Sequence, residues 1–136
     1  MKTTAPLSKV QYGLFVECVA HKGEACYNLP YLYILDGSLD EQRLRQAIET
    51  AVKAHPTLFT RIELNEDGDP LQTIDMEQEA WTLEVEALAT HPSPLTPNDF
   101  QSLIVPFDIY SDRLFHIRLL RDQEHFYFFL DIHHLI

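Results

Sequence analysis

Glycine is scarce in this chain, with 4 in 136 residues. Loops that cradle phosphates draw on several glycines close together, so a nucleotide-binding cradle is disfavoured. Cysteine is scarcer: Cys18 and Cys26 are the only two. Two are too few for a disulfide framework, and neither stands at a recognisable metal-ligand spacing from a partner. No apolar run approaches the roughly 20 residues that span a bilayer. Met1 to Pro6 has no apolar stretch behind it of the kind an export signal carries. The expectation is a cytoplasmic protein with reduced thiols, no bound metal and no membrane segment. Positive charge is short too: Lys and Arg number 10 against 21 Asp and Glu, a formal net charge of −11. Nucleic acids and anionic membranes are met by basic patches, so neither is an expected partner. The acidic residues are spread out, as at Glu63, Glu66 and Asp67, and read as a solvated surface.

What is present is a globular composition, 46% hydrophobic and 11% aromatic, enough for one compact domain over residues 1–136. Ser8 to Gln11 reads as a capping box opening a helix that runs to about Ala20. Tyr31 to Leu35 reads as a strand stopped by Asp36-Gly37. Ser38 to Glu41 reads as a second capping box. The helix behind it carries Leu44, Ala47, Ile48, Ala51, Val52 and His55 as an apolar stripe, and Pro56 ends it. Leu58 to Leu64 and Leu71 to Ile74 pair around an Asp67-Gly68-Asp69-Pro70 turn. Trp81 to Glu86 alternates like a half-exposed strand. His91 to Pro97 is a proline-rich loop, after which Thr96 caps a helix with Pro97 in its first position. Phe115 to Leu120 and His125 to Ile132 are the last strands. The second is apolar on both faces, which suits a covered, central position.

The chain closes on Asp131-Ile132-His133-His134-Leu135-Ile136. Most domains end in polar, solvated residues, so this ending reads as a fragment of something longer. The histidine pair by itself reads as one packed and one exposed residue at a strand end. Adjacent strand residues point to opposite faces, so the pair is poorly placed to chelate one ion. No G-x-S-x-G elbow and no H-E-x-x-H is present.

Three segments, in order, give the pair its context. Leu7-Ser8-Lys9-Val10-Gln11 is similar to an S-x-x-Q opening. His55-Pro56-Thr57-Leu58-Phe59-Thr60-Arg61 is similar to R-H-E-x-L-R-T-R-F, and Asp67 to Gln72 follows it like D-G-x-P-x-Q. His133-His134-Leu135-Ile136 is similar to the start of H-H-x-x-x-D-G. Tyr27 to Pro30, Leu35 to Asp40 and Pro106 to Asp108 fall between them in the expected order. Together they resemble the condensation domains of nonribosomal peptide synthetases, along essentially the whole chain. Ala54, Pro56 and Phe59 depart from the second segment, while Arg61 survives. On a strand Phe59 and Arg61 would share a face, so Arg61 can supply the missing charge. The pair of histidines separates the chain from cyclisation relatives, which carry aspartates there, but it does not separate a peptide-bond-forming domain from epimerisation relatives.

The resemblance implies an α/β fold, in detail an α+β two-layer sandwich. A mixed β-sheet with packed helices would form the N-terminal lobe of a chloramphenicol-acetyltransferase-like domain, cut within its H-H-x-x-x-D-G motif. It implies amide-bond formation between two carrier-bound thioesters, with His134 as the key catalytic residue and His133 and Arg61 as supporting residues. An α-ammonium titrates near ~7.7–8.0 and a free imidazole near ~6.5, so an imidazole can act as base with little mismatch. Orienting the amine or stabilising the tetrahedral intermediate is an equally open role. No cofactor is implied to bind the chain directly. The phosphopantetheine arms belong to donor and acceptor peptidyl carrier proteins. The other implied partners are the C-terminal lobe and a neighbouring adenylation domain. Two other readings share much of this pattern: an acyl-coenzyme-A-dependent acyltransferase of the same superfamily, and a degenerate scaffold lobe. His21, His55, His91, His116 and His125 have no motif behind them, and His55 is expected to pack. Without a second lobe, an exposed apolar footprint and an unpaired sheet edge are expected to drive self-association.

Overall fold

The structure is a computed structural model and describes residues 2–75, 81–88 and 94–136. The chain runs β1 (Lys2–Pro6), α1 (Lys9–Ala20), β2 (Asn28–Leu35), α2 (Glu41–Lys53), a short 3-10 turn (Pro56–Phe59), β3 (Thr60–Leu64), β4 (Pro70–Asp75), β5 (Glu84–Ala87), α3 (Pro97–Leu103), β6 (Phe115–Arg121) and β7 (Phe126–His133). The strands form two sheets, β1-β4-β3 and β2-β7-β6-β5. The first is antiparallel throughout. The second is mixed, because β5 runs parallel to β6 while β7 is antiparallel to both its neighbours.

β7 is an inner strand, and its alternation decides how the layers assemble. Phe126, Phe128, Leu130 and Ile132 share one face with Phe115, Ile117 and Leu119 of β6, and Leu44, Ile48 and Val52 of α2 pack there. Tyr127 and Phe129 lie on the other face with Leu120, against Phe100 and Leu103 of α3. Helices therefore cover both faces of the mixed sheet. A third cluster joins Phe15 of α1, Ile62 of β3 and Leu135 to Phe107, Ile109 and Leu114. It fixes the sequence after β7 against α1. On the β2 edge the apolar cover thins out, and Tyr31 and Tyr33 stack on each other while remaining exposed.

The caps explain where helices begin. Ser8 accepts from the Gln11 amide, and the Gln11 side chain accepts from the Ser8 amide. Thr96 and Asp99 make the same reciprocal pair, with Pro97 in the first helical position. The start of α2 differs from the capping box expected at Ser38. Asp40, not Ser38, is the cap, and its carboxylate accepts from the Arg43 amide. A carboxylate at that end also meets the positive pole of the helix. His55 lies past the end of α2 and is exposed, so it does not close the apolar stripe. Phe59 sits in the 3-10 turn, with the strand starting at Thr60, so Phe59 and Arg61 do not share a strand face. β5 is shorter than the alternation suggests: the Leu83 amide donates to Glu49 of α2 instead of to a strand. His91 lies outside the described residues.

Candidate active site

α1, β4 and the segment after β7 converge on one point. The Gln11 side-chain amide donates to the Leu135 carbonyl at 3.1 Å and to Gln72 Oε1 at 3.2 Å. Gln72 in turn donates to the Pro6 carbonyl at 3.0 Å. Gln11, the third helical residue of the α1 capping box, thus ties the S-x-x-Q segment, the D-G-x-P-x-Q hairpin and the histidine segment together. The sequence order places these segments, but nothing in it says that two glutamine side chains join them.

The strand ends at His133, and His134 and Leu135 form a turn. Leu135 is 1% exposed and anchors that turn in the core. The His134 amide donates to the Tyr27 carbonyl at 2.9 Å, and the His133 amide to the Leu114 carbonyl at 2.9 Å. The backbone of the pair is therefore held from both sides. The two side chains part company. His134 is exposed. His133 is 4% exposed, and its ring lies edge-on to Phe107 at 5.8 Å.

Hydrogen bonding defines the state of the buried ring. The Leu135 amide donates to His133 Nδ1 at 3.1 Å. An amide can only donate, so Nδ1 carries no proton, and the neutral ring carries its proton on Nε2. Cys18 Sγ lies 3.6 Å from that Nε2. Burial, with His134 beside it, lowers the His133 pKa to about 4. The ring is neutral at physiological pH for that reason. Burial also raises the Cys18 thiol, with Cys26 and Glu17 adding to the shift. The contact is one between a thiol and a neutral imidazole, not a thiolate–imidazolium pair.

An unfolded histidine titrates near ~6.5, so between about 4 and ~6.5 the unfolded chain binds more protons at this position than the folded one. Stability contributed by neutral His133 is complete above that window and is lost as pH falls through it. The full shift corresponds to about 3 kcal/mol. His116 is lowered by burial and acts in the same sense, whereas the buried Asp131 carboxyl is raised and acts in the opposite one. Urea unfolding at pH 7 and pH 4.5 should show His133→Gln losing about 2–3 kcal/mol less than the parent on acidification. Parallel losses in both proteins would show that His133 does not bind the extra proton.

Arg61 stands elsewhere. It lies on β3 opposite Thr73, and its guanidinium donates to the Ser111 carbonyl at 3.4 Å. Ile62, its neighbour on the other face of the strand, is the residue that packs with Leu135. Among the described residues, no group of three His, Cys, Asp or Glu could hold a metal ion. No helix among them is long and apolar enough to cross a membrane. The cysteines are free thiols. Cys18, Cys26, Tyr27, Phe107, Ile109 and His133 line a cavity of about 50 Å³ behind the histidine turn. Cys18 escaped the sequence reading. A signal was available: Gln11 and Cys18 stand two helical turns apart, which puts them on one face of α1.

The chain is 32% identical over 132 residues to tyrocidine synthase 3 of Brevibacillus parabrevis, covering 96% of the chain and 2% of that protein. The starter condensation domain of rhizomide synthetase superposes with a TM-score of 0.80 at 20% identity, over 98% of this chain and 33% of that one. The first condensation domain of the CDA synthetase gives 0.74 at 20% identity, over 97% of this chain and 36% of that one. The chain thus spans only a few per cent of the length of the curated relatives it matches and about a third of the solved domains. The structural likenesses show the fold, a chloramphenicol-acetyltransferase-like arrangement of helices and mixed sheet. The family model described as Condensation domain matches residues 1–136, and the chain belongs to that family.

Proposed function

We propose that this chain is the N-terminal lobe of an amide-forming condensation domain in a nonribosomal peptide synthetase, and that His134 is its catalytic residue. The observation that carries the reading is the split of the pair: His133 is buried and hydrogen-bonded, whereas His134 is exposed on a turn whose backbone is fixed. A second lobe covering that turn would enclose His134 in a channel. Donor and acceptor carrier proteins would bring their thioesters to it on phosphopantetheine arms. A neighbouring adenylation domain would load the acceptor.

In that reaction the acceptor amine attacks the donor thioester carbonyl. A C–N bond forms, the C–S bond breaks, and the donor thiol leaves with a proton. Either His134 takes a proton from the amine as attack proceeds, or it holds the amine on line and stabilises the tetrahedral intermediate. Arg61, bonded to the Ser111 carbonyl, would act as a supporting residue of the lobe and not as a partner of the reacting atoms.

The test is amide formation from two loaded carriers. A whole condensation domain containing this segment should form the amide, and the 136-residue chain alone should form none. Product from the chain alone would show that one lobe suffices. No product from the whole domain with any loaded pair would favour a scaffold.

A further inference from the structure

We propose that Cys18 is a positioning residue: its sulfur receives the Nε2–H of His133 and so holds the imidazole that closes the turn carrying His134. The inference rests on the reading of His134 given above, and it adds a residue outside the histidine motif to the machinery.

The chain of contacts is continuous. The Leu135 amide donates to His133 Nδ1, which leaves the ring proton on Nε2 and aims it at Cys18 Sγ, 3.6 Å away. On the same face of α1, Gln11 donates to the Leu135 carbonyl at 3.1 Å. The helix thus grips the turn at two points, through the ring of His133 and through the backbone of Leu135. His134 lies between those two residues. Its own amide is tied to the Tyr27 carbonyl, so the segment has little freedom to re-aim except by releasing one of these bonds.

Other functions for Cys18 fit less well. The thiol is held in its protonated form by burial, which weakens it as a nucleophile. With His133 and Cys26 it lines the cavity behind the turn, but no metal-holding group of three forms among the described residues. What remains is acceptance of one buried N–H. Removing the sulfur leaves that donor facing the cavity. The ring can then rotate toward the space, and the Leu135 amide loses its acceptor as it does so.

The experiment compares Cys18→Ala with Cys18→Ser, because alanine removes the acceptor and serine restores one. In the 136-residue chain, imidazole 15N shifts report the tautomer of His133, and hydrogen exchange reports the Leu135 amide. Cys18→Ala should raise Leu135 exchange about tenfold over its neighbours in β7 and blur the single Nε2–H tautomer. Cys18→Ser should stay close to the parent. In the whole condensation domain, Cys18→Ala should lower kcat by roughly tenfold, a displacement effect, with KM for the loaded acceptor within about twofold. Cys18→Ser should recover most of it. A parent-like tautomer and parent-like exchange in Cys18→Ala would overturn the proposal, as would an unchanged kcat. If the parent domain forms no amide, the reading of His134 fails, and the spectra alone decide whether Cys18 holds the turn.

Discussion

In a condensation domain carrying this segment, His134→Ala should lower single-turnover amide formation by about 10²–10⁴-fold, the usual range for a general acid–base residue. His133→Gln, measured at pH 7.5, should cost roughly tenfold or less. The asymmetry comes from burial and bonding. His133 is 4% exposed, with Nδ1 committed to the Leu135 amide and Nε2 facing Cys18. Neither nitrogen is available to a substrate. His134 is exposed, and its backbone amide ties it to the fold, so its ring can serve the reaction without breaking the turn. A glutamine at position 133 still offers an oxygen to the Leu135 amide, and the turn survives in part. Equal and small effects from both substitutions would instead make the pair structural and the lobe a scaffold.

Much of the fold was legible because strong local patterns agree with the tertiary structure. The run Phe126 to Ile132 is apolar on both faces, and the structure places one set of side chains under α2 and the other under α3. The capping pairs Ser8–Gln11 and Thr96–Asp99 are written in sequence at fixed spacing. The Asp67-Gly68 turn is legible because Gly68 takes a positive φ of 85°, which favours glycine.

The failures fall where local signals compete or are silent. Ser38 and Asp40 are both good caps, and only the start of α2 decides for Asp40. β1 carries Lys2, Thr3 and Thr4, with no apolar alternation, yet it pairs with β4 along five residues. Lys2 also reaches Glu63 at 2.9 Å. Such an edge strand is recruited by its partner, and its own sequence does not announce it. At the site, the motifs located the histidine pair but not its support. Gln11, Gln72 and Cys18 matter through contacts that span from 61 to 124 positions along the chain. Hydrogen bonds between distant side chains leave no periodic trace.

Phe129→Ala should destabilise the chain by about 3–5 kcal/mol, whereas Tyr33→Ala should change stability by only ~0.5 kcal/mol. Both are aromatic residues on adjacent strands of one sheet, so composition alone does not separate them. Phe129 is 0% exposed. Its ring meets Phe100 of α3 edge-on at 6.3 Å and shares a cluster with Leu120 and Tyr127. Truncation removes both the transfer energy of the ring and the contacts of its neighbours, which cannot collapse around a gap between a sheet and a helix. Tyr33 is 52% exposed on the β2 edge, and its ring lies against Tyr31 and Phe128. Most of what it touches is already solvated. The expected loss at Phe129 is a large share of the roughly 5–15 kcal/mol that hold a typical domain, and it falls on the strand that runs directly into His133. Urea midpoints for the two variants decide the matter. A Phe129→Ala protein as stable as Tyr33→Ala would mean that α3 does not seal the second face of the sheet, and the placement of the histidine turn at the end of a rigid strand would fail with it.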